Sequence, residues 1–184
     1  MQIGTVFPEI KKILDTPELA GLGPEQRPGI LSTVEIDAEL AKGFPPKLTP
    51  AIRDLFTAGA YLWHDHLDAA HRIVQDIETS DGSLLHGLMH RREPDYSNAK
   101  YWFRRVGAHP SFLSLAVRAG ELLEKADETD LLSRLVPNKT WDPFAFVDAV
   151  EDATGGQFVS KVPVLQQVQK LELECFLENL ANRL

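Results

Sequence analysis

Apolar residues recur at helical spacing through most of the chain, and no stretch sustains the period-two alternation of a half-buried strand. Over 7–15, Ile10, Ile13 and Leu14 share one face, and Pro8 is tolerated near the start of a short helix. The next stretch is punctuated by Pro17, Gly21, Gly23, Pro24, Pro28 and Gly29, which predicts an irregular wrap. Ser32 and Glu35 have capping-box spacing and Gly43 supplies a stop, so a helix is expected over 33–42. Thr49-Pro50 then opens the longest predicted helix, from Pro50 to Ile77. Ile52, Phe56, Trp63, Leu67, Ala70, Val74 and Ile77 form its broad apolar face, and Leu55, Leu62 and Ile73 widen it. Such a helix belongs at the centre of the fold, with neighbours on more than one side.

Thr79-Ser80-Asp81-Gly82 reads as a break. Short helices follow at 84–92 and 97–106, the first stopped ahead of Pro94 and the second by Gly107. His109-Pro110 starts another helix reaching Lys125, a shorter piece covers 128–136, and Asp142-Pro143 opens a helix that Gly155-Gly156 ends. From Val164 to Leu184 the apolar positions Leu165, Val168, Leu171, Phe176, Leu180 and Leu184 keep helical spacing. QFVSKVPV is a weak strand candidate. The expected class is all-α, an irregular helical bundle around one long central helix, with all 184 residues in a single domain.

Composition narrows the function. A 43% hydrophobic and 25% charged chain has the balance of a folded soluble protein rather than a disordered one. A formal charge of −8 argues against nucleic-acid binding, which needs a broad basic face. Arg91, Arg92, Lys100, Arg104 and Arg105 are a local basic exception that suggests a small anionic ligand or an ion-pair network. Cys175 is the single cysteine, set among Leu173, Phe176 and Leu177, so it reads as a buried hydrophobe and excludes a cysteine-based metal cage. No signal peptide and no membrane-length apolar run is visible, so the expectation is a cytoplasmic protein that does not engage a membrane.

All six histidines lie between Trp63 and His109. His64, Asp68 and His71, spaced by four and three, would fall within a strip about 60° wide on the long helix, at the border of its apolar face. His86 and His90 form a second pair four residues apart. Folding the second helix back would turn the two strips towards each other and offer imidazole and carboxylate ligands to a divalent metal such as Zn, Fe or Mn. None of these spacings is a specific metal signature, and His66, pointing away from the strip, reads as a packed histidine. Without metal, His64 or His71 oriented by Asp68 could serve as a general base. Arg91, Arg92, Lys100 and Arg104 would grip a carboxylate or phosphate, with Tyr96, Tyr101 and Trp102 as flat walls.

The segments LWHDHLDAAHRIVQ and DGSLLHGLMHRREPDYSNAKYWFRRVGAHP, and more faintly WDPFAFVD, resemble a family of uncharacterised bacterial and fungal proteins. The resemblance covers about residues 60–110 and implies no activity and no residue role. Two readings stand. In one, a polar pocket lined by His64, Asp68, His71, His86 and His90 binds a divalent metal or small anion and supports hydrolytic or acid–base chemistry. In the other, the chain is not an enzyme: the histidines and arginines form a structural network, and exposed helix faces serve self-association or partner binding.

Overall fold

The structure, a computed structural model, describes residues 8–183. Among these residues there are ten α-helices and no strand, so the all-α class holds. Helix α1 (Pro8–Leu14) buries Ile13 and Leu14, whereas Phe7 and Leu184, at the two predicted ends, lie outside the described residues. Helix α2 (Thr33–Gly43) opens with the expected capping box: Ser32 Oγ accepts from the Glu35 amide, and Glu35 Oε2 accepts from the Ser32 amide at 2.8 Å.

The helix expected over Pro50–Ile77 is two helices, α3 (Pro50–Trp63) and α4 (Leu67–Val74). The break is at Asp65, whose φ of 61° is left-handed. Asparagine and aspartate enter that region more readily than most side chains, but a helix cannot continue through it. Tertiary pairing holds Asp65 there. Its carboxylate accepts from the Arg27 amide (3.0 Å), Arg27 Nε (2.8 Å) and Arg92 Nη2 (2.8 Å), with no exposure of the carboxylate. The same guanidinium groups close off helix and loop carbonyls. Arg92 donates to the Leu62 and Gly23 carbonyls, and Arg27 to those of Trp63 and Glu18. Burial alone would raise the Asp65 carboxyl, but the Arg27 hydrogen bonds and the Arg92 charge outweigh it and hold the group below its ordinary value.

Helix α5 (Ser80–Arg92) begins four residues before the position expected from the sequence. Thr79, read as part of a break, is the N-cap, its side chain accepting from the Gly82 amide at 3.1 Å. Gly82 is tolerated inside the first turn because a Cβ there would sit 2.2 Å from the Ile77 carbonyl oxygen. Helix α5 ends at Arg92, ahead of Pro94, and a short turn leads into α6 (Tyr96–Val106), capped by Asp95. These two helices pack closely: a Cβ on Gly87 would meet the Phe103 ring at 3.0 Å.

The rest of the chain is scaffold. Helices α7 (Ser111–Lys125), α8 (Thr129–Leu135) and α9 (Pro143–Thr154) surround a second apolar cluster around Leu115, Leu123, Phe146 and Leu165. Helix α10 (Val162–Ala181), the longest at 20 residues, contributes to both clusters, and QFVSKVPV forms a 3₁₀ turn and the start of α10 rather than a strand. Arg91 fastens α5 to α10. Fully buried, it donates to Glu172 Oε2 at 2.6 Å and lies 4.2 Å over the Phe146 ring. No helix among the described residues is long and apolar enough to cross a membrane.

Removing one partner of a buried ion pair strands the other, at about 3–5 kcal/mol. Asp65→Ala should therefore lower the unfolding free energy in urea by that order. Asp65→Gly, which suits the left-handed backbone, should recover only about 1 kcal/mol of the loss.

Candidate metal centre

Three histidines meet between α4 and α5. His71 projects from the last turn of α4, and His86 and His90 stand one turn apart on α5. The ring centroids are 5.0 Å apart for His71–His86, 5.5 Å for His71–His90 and 5.4 Å for His86–His90. His86 and His90 are nearly parallel, at 9°, while His71 meets both edge-on. One ligand nitrogen from each ring lies within 4.8 Å of the others, so the trio could hold a metal ion. A tetrahedral ion with metal–nitrogen bonds near 2.0–2.1 Å places its ligands about 3.4 Å apart, a contraction that small side-chain rotations can supply.

The surroundings of His86 and His90 favour their neutral forms. His86 is buried, with Trp102 of α6 stacked on its other face at 3.9 Å and 2°. Arg105 lies over the indole, 5.3 Å from its centroid. Burial, with repulsion from His71 and His90, pushes His86 down to about 4. His90 is lowered as well, chiefly by burial, against the raising pull of Glu93 and Asp95. His86 Nδ1 has no hydrogen-bond partner in the protein although it is buried. His90 Nδ1 is 3.1 Å from Glu93 Oε2, which favours the tautomer carrying its proton there and makes Nε2 the accepting nitrogen. The Asn98 side-chain amide lies 3.1 Å from Nε2.

The other residues expected at this site lie elsewhere. His64 is buried against the N-terminal wrap, its Nε2 2.9 Å from the Ile13 carbonyl and its Nδ1 accepting from the Leu31 amide at 3.1 Å. The break at Asp65 separates it from the His71 strip, and both its ring nitrogens meet backbone groups of other segments. Asp68 is exposed and lines a separate hollow of about 420 Å³ with His66, Arg72 and Glu93. His66 is packed as expected, bonded to Leu31 O at 2.8 Å. The four basic residues do not converge: Arg91 is held by Glu172, Arg92 by Asp65, and Lys100 by Asp148, while Arg104 is exposed and in no ion pair among the described residues. Trp102, expected as a wall of the anion pocket, is a histidine stack instead.

Glu93 and Asn98 escaped the sequence reading, although His90 and Glu93 have the i,i+3 spacing that brings side chains together on one helix face. A Ser111–His109–Asp81 chain also went unnoticed. His109 Nδ1 is 2.7 Å from Ser111 Oγ, and Nε2 is 2.9 Å from Asp81 Oδ1. It resembles a nucleophilic triad, but Ser111 is buried and its own amide donates to His109 Nδ1 at 3.2 Å. The arrangement caps the start of α7. Despite burial, hydrogen bonds from His109 and Arg183 hold Asp81 down at about 2.

Comparison with protein-family models, curated proteins and solved structures found no match. The site therefore stands on its geometry: a helical protein with a three-histidine cluster that could hold a metal ion.

The low His86 value sets a pH dependence for the metal-free chain. Between pH 6.5 and about 4, the unfolded histidine takes up a proton that the folded one refuses. Stability is thus full above pH 6.5 and falls as pH drops towards 4, by up to roughly 3 kcal/mol from this group. Urea unfolding in chelator should show this slope, and His86→Phe should flatten it relative to the wild type.

Proposed function

We propose that the chain binds one divalent transition-metal ion through His71, His86 and His90, with Zn the best fit. The observation that carries this reading is the convergence of three imidazoles, a nitrogen from each within 4.8 Å of the others, together with a buried His86 Nδ1 that has no partner in the protein. Three nitrogen donors without a first-sphere carboxylate suit Zn over Mn, which prefers oxygen ligands. Glu93 orients His90 from behind, as carboxylates do for metal-bound histidines. His64 and Asp68 fall outside the ligand set.

Three protein ligands leave one tetrahedral position for water, the arrangement of catalytic rather than structural zinc sites. Bound water is acidified there to near-neutral pKa, so the reaction class this site serves best is hydrolysis. For Arg91, Arg92, Lys100 and His64, the geometry favours the structural-network reading, since each is already held by a buried or partly buried partner.

Metal analysis of tag-free protein tests the proposal. The wild type should retain about one equivalent of Zn after dialysis, His86→Ala and His90→Ala should each lose most of it, and His64→Ala should keep it while lowering the melting temperature. Absence of Zn uptake by folded wild-type protein would overturn the assignment. Hydrolysis of para-nitrophenyl esters or phosphates, removed by chelator and restored by Zn, tests the reaction class separately.

A further inference from the structure

A second hollow, of about 730 Å³, opens between α6, the start of α7 and the segment entering α9. It shares no residue with the histidine cluster. Its size falls in the range of small-molecule sites, about 300–1,000 Å³. Phe103, Phe112, Trp141 and Phe144 give it an aromatic lining. Arg104 and Lys139 also line it, both exposed, and neither makes an ion pair or side-chain hydrogen bond among the described residues. This sets them apart from Arg91, Arg92 and Lys100, which are all paired.

The charge balance around the hollow runs against the rest of the molecule. The chain has 27 acidic and 19 basic residues, yet no aspartate or glutamate lines this surface. The Trp141 indole N–H is buried with no acceptor in the protein. Lys139 is held beside the hollow by a left-handed backbone, φ 62°, straight after Asn138 at φ 51°. A lysine adopts that conformation only where its surroundings impose it.

We propose that this hollow binds a small carboxylate with an apolar body, an alkyl or aryl acid, whose head group meets Arg104 and Lys139 while its body lies among the aromatic rings. An apolar lining with two unpaired cations matches an amphipathic monoanion. A free phosphate has no body for the rings to bury. A nucleotide would need a phosphate cradle of backbone amides, which no glycine-rich loop of this chain supplies.

Calorimetric titration of the full chain with octanoate, against 1-octanol and acetate, tests it. Octanoate should bind saturably at one site, and acetate should not. Arg104→Gln with Lys139→Gln should weaken octanoate at least about tenfold, leaving octanol binding and the melting temperature unchanged. Leu113→Asp, which places a carboxylate on an exposed lining residue, should weaken octanoate too. No saturable octanoate binding, or binding indifferent to the double substitution, overturns the proposal. Concentration-dependent dimerisation that Leu113→Asp abolishes, without octanoate binding, also overturns it and identifies the hollow as a contact between copies.

Discussion

One buried carboxylate sets the course of the chain through its histidine-rich centre. Asp65 receives three hydrogen bonds from Arg27 and Arg92, and they hold it in a backbone conformation that no helix can carry through. Arg27 comes from the irregular N-terminal wrap and Arg92 from the end of α5, so the pairing ties three separate segments at one point. Helix α3 stops, α4 restarts, and the side chains on either side of the break serve different neighbours. His64 faces Ile13 and Leu31, whereas His71 faces His86 and His90. Without the break, the two would have shared one strip.

The amino-acid pattern shows the helical class and most element boundaries plainly, because apolar spacing and caps are local. Ser32, Thr49 and Asp142 all cap where their neighbours predict. The meeting of His71, His86 and His90 follows from the two histidine pairs and a turn between them. The break at Asp65 was not legible, since WHDHLD has good helical periodicity and its interruption depends on arginines 38 and 27 residues away. For the same reason Thr79-Ser80-Asp81-Gly82 looked like a break: the packing of Gly82 on Ile77 is a contact, not a composition. Charge clusters misled in the same way. Adjacent arginines in sequence went to different carboxylates in space, Arg91 to Glu172 and Arg92 to Asp65.

The six histidines show that residue type alone does not assign a role. His64, His66 and His109 each have hydrogen-bond partners at both ring nitrogens and stand apart from the imidazoles of the cluster. His86 differs in having an unpartnered buried nitrogen beside two other imidazoles. Three like groups at this distance repel when protonated, so the cluster is compatible with neutral rings or with a cation placed among them.

The stacking of Trp102 on His86 has a consequence outside chemistry. Of the three tryptophans, Trp63 and Trp141 are almost wholly buried, while Trp102 is half-buried and stacked on His86 of the cluster. An indole pressed against an imidazole loses excited-state energy to it most readily when the ring is positively charged. Trp102 emission, read against that of the two buried tryptophans, should therefore follow the charge of the His86 ring stacked on it.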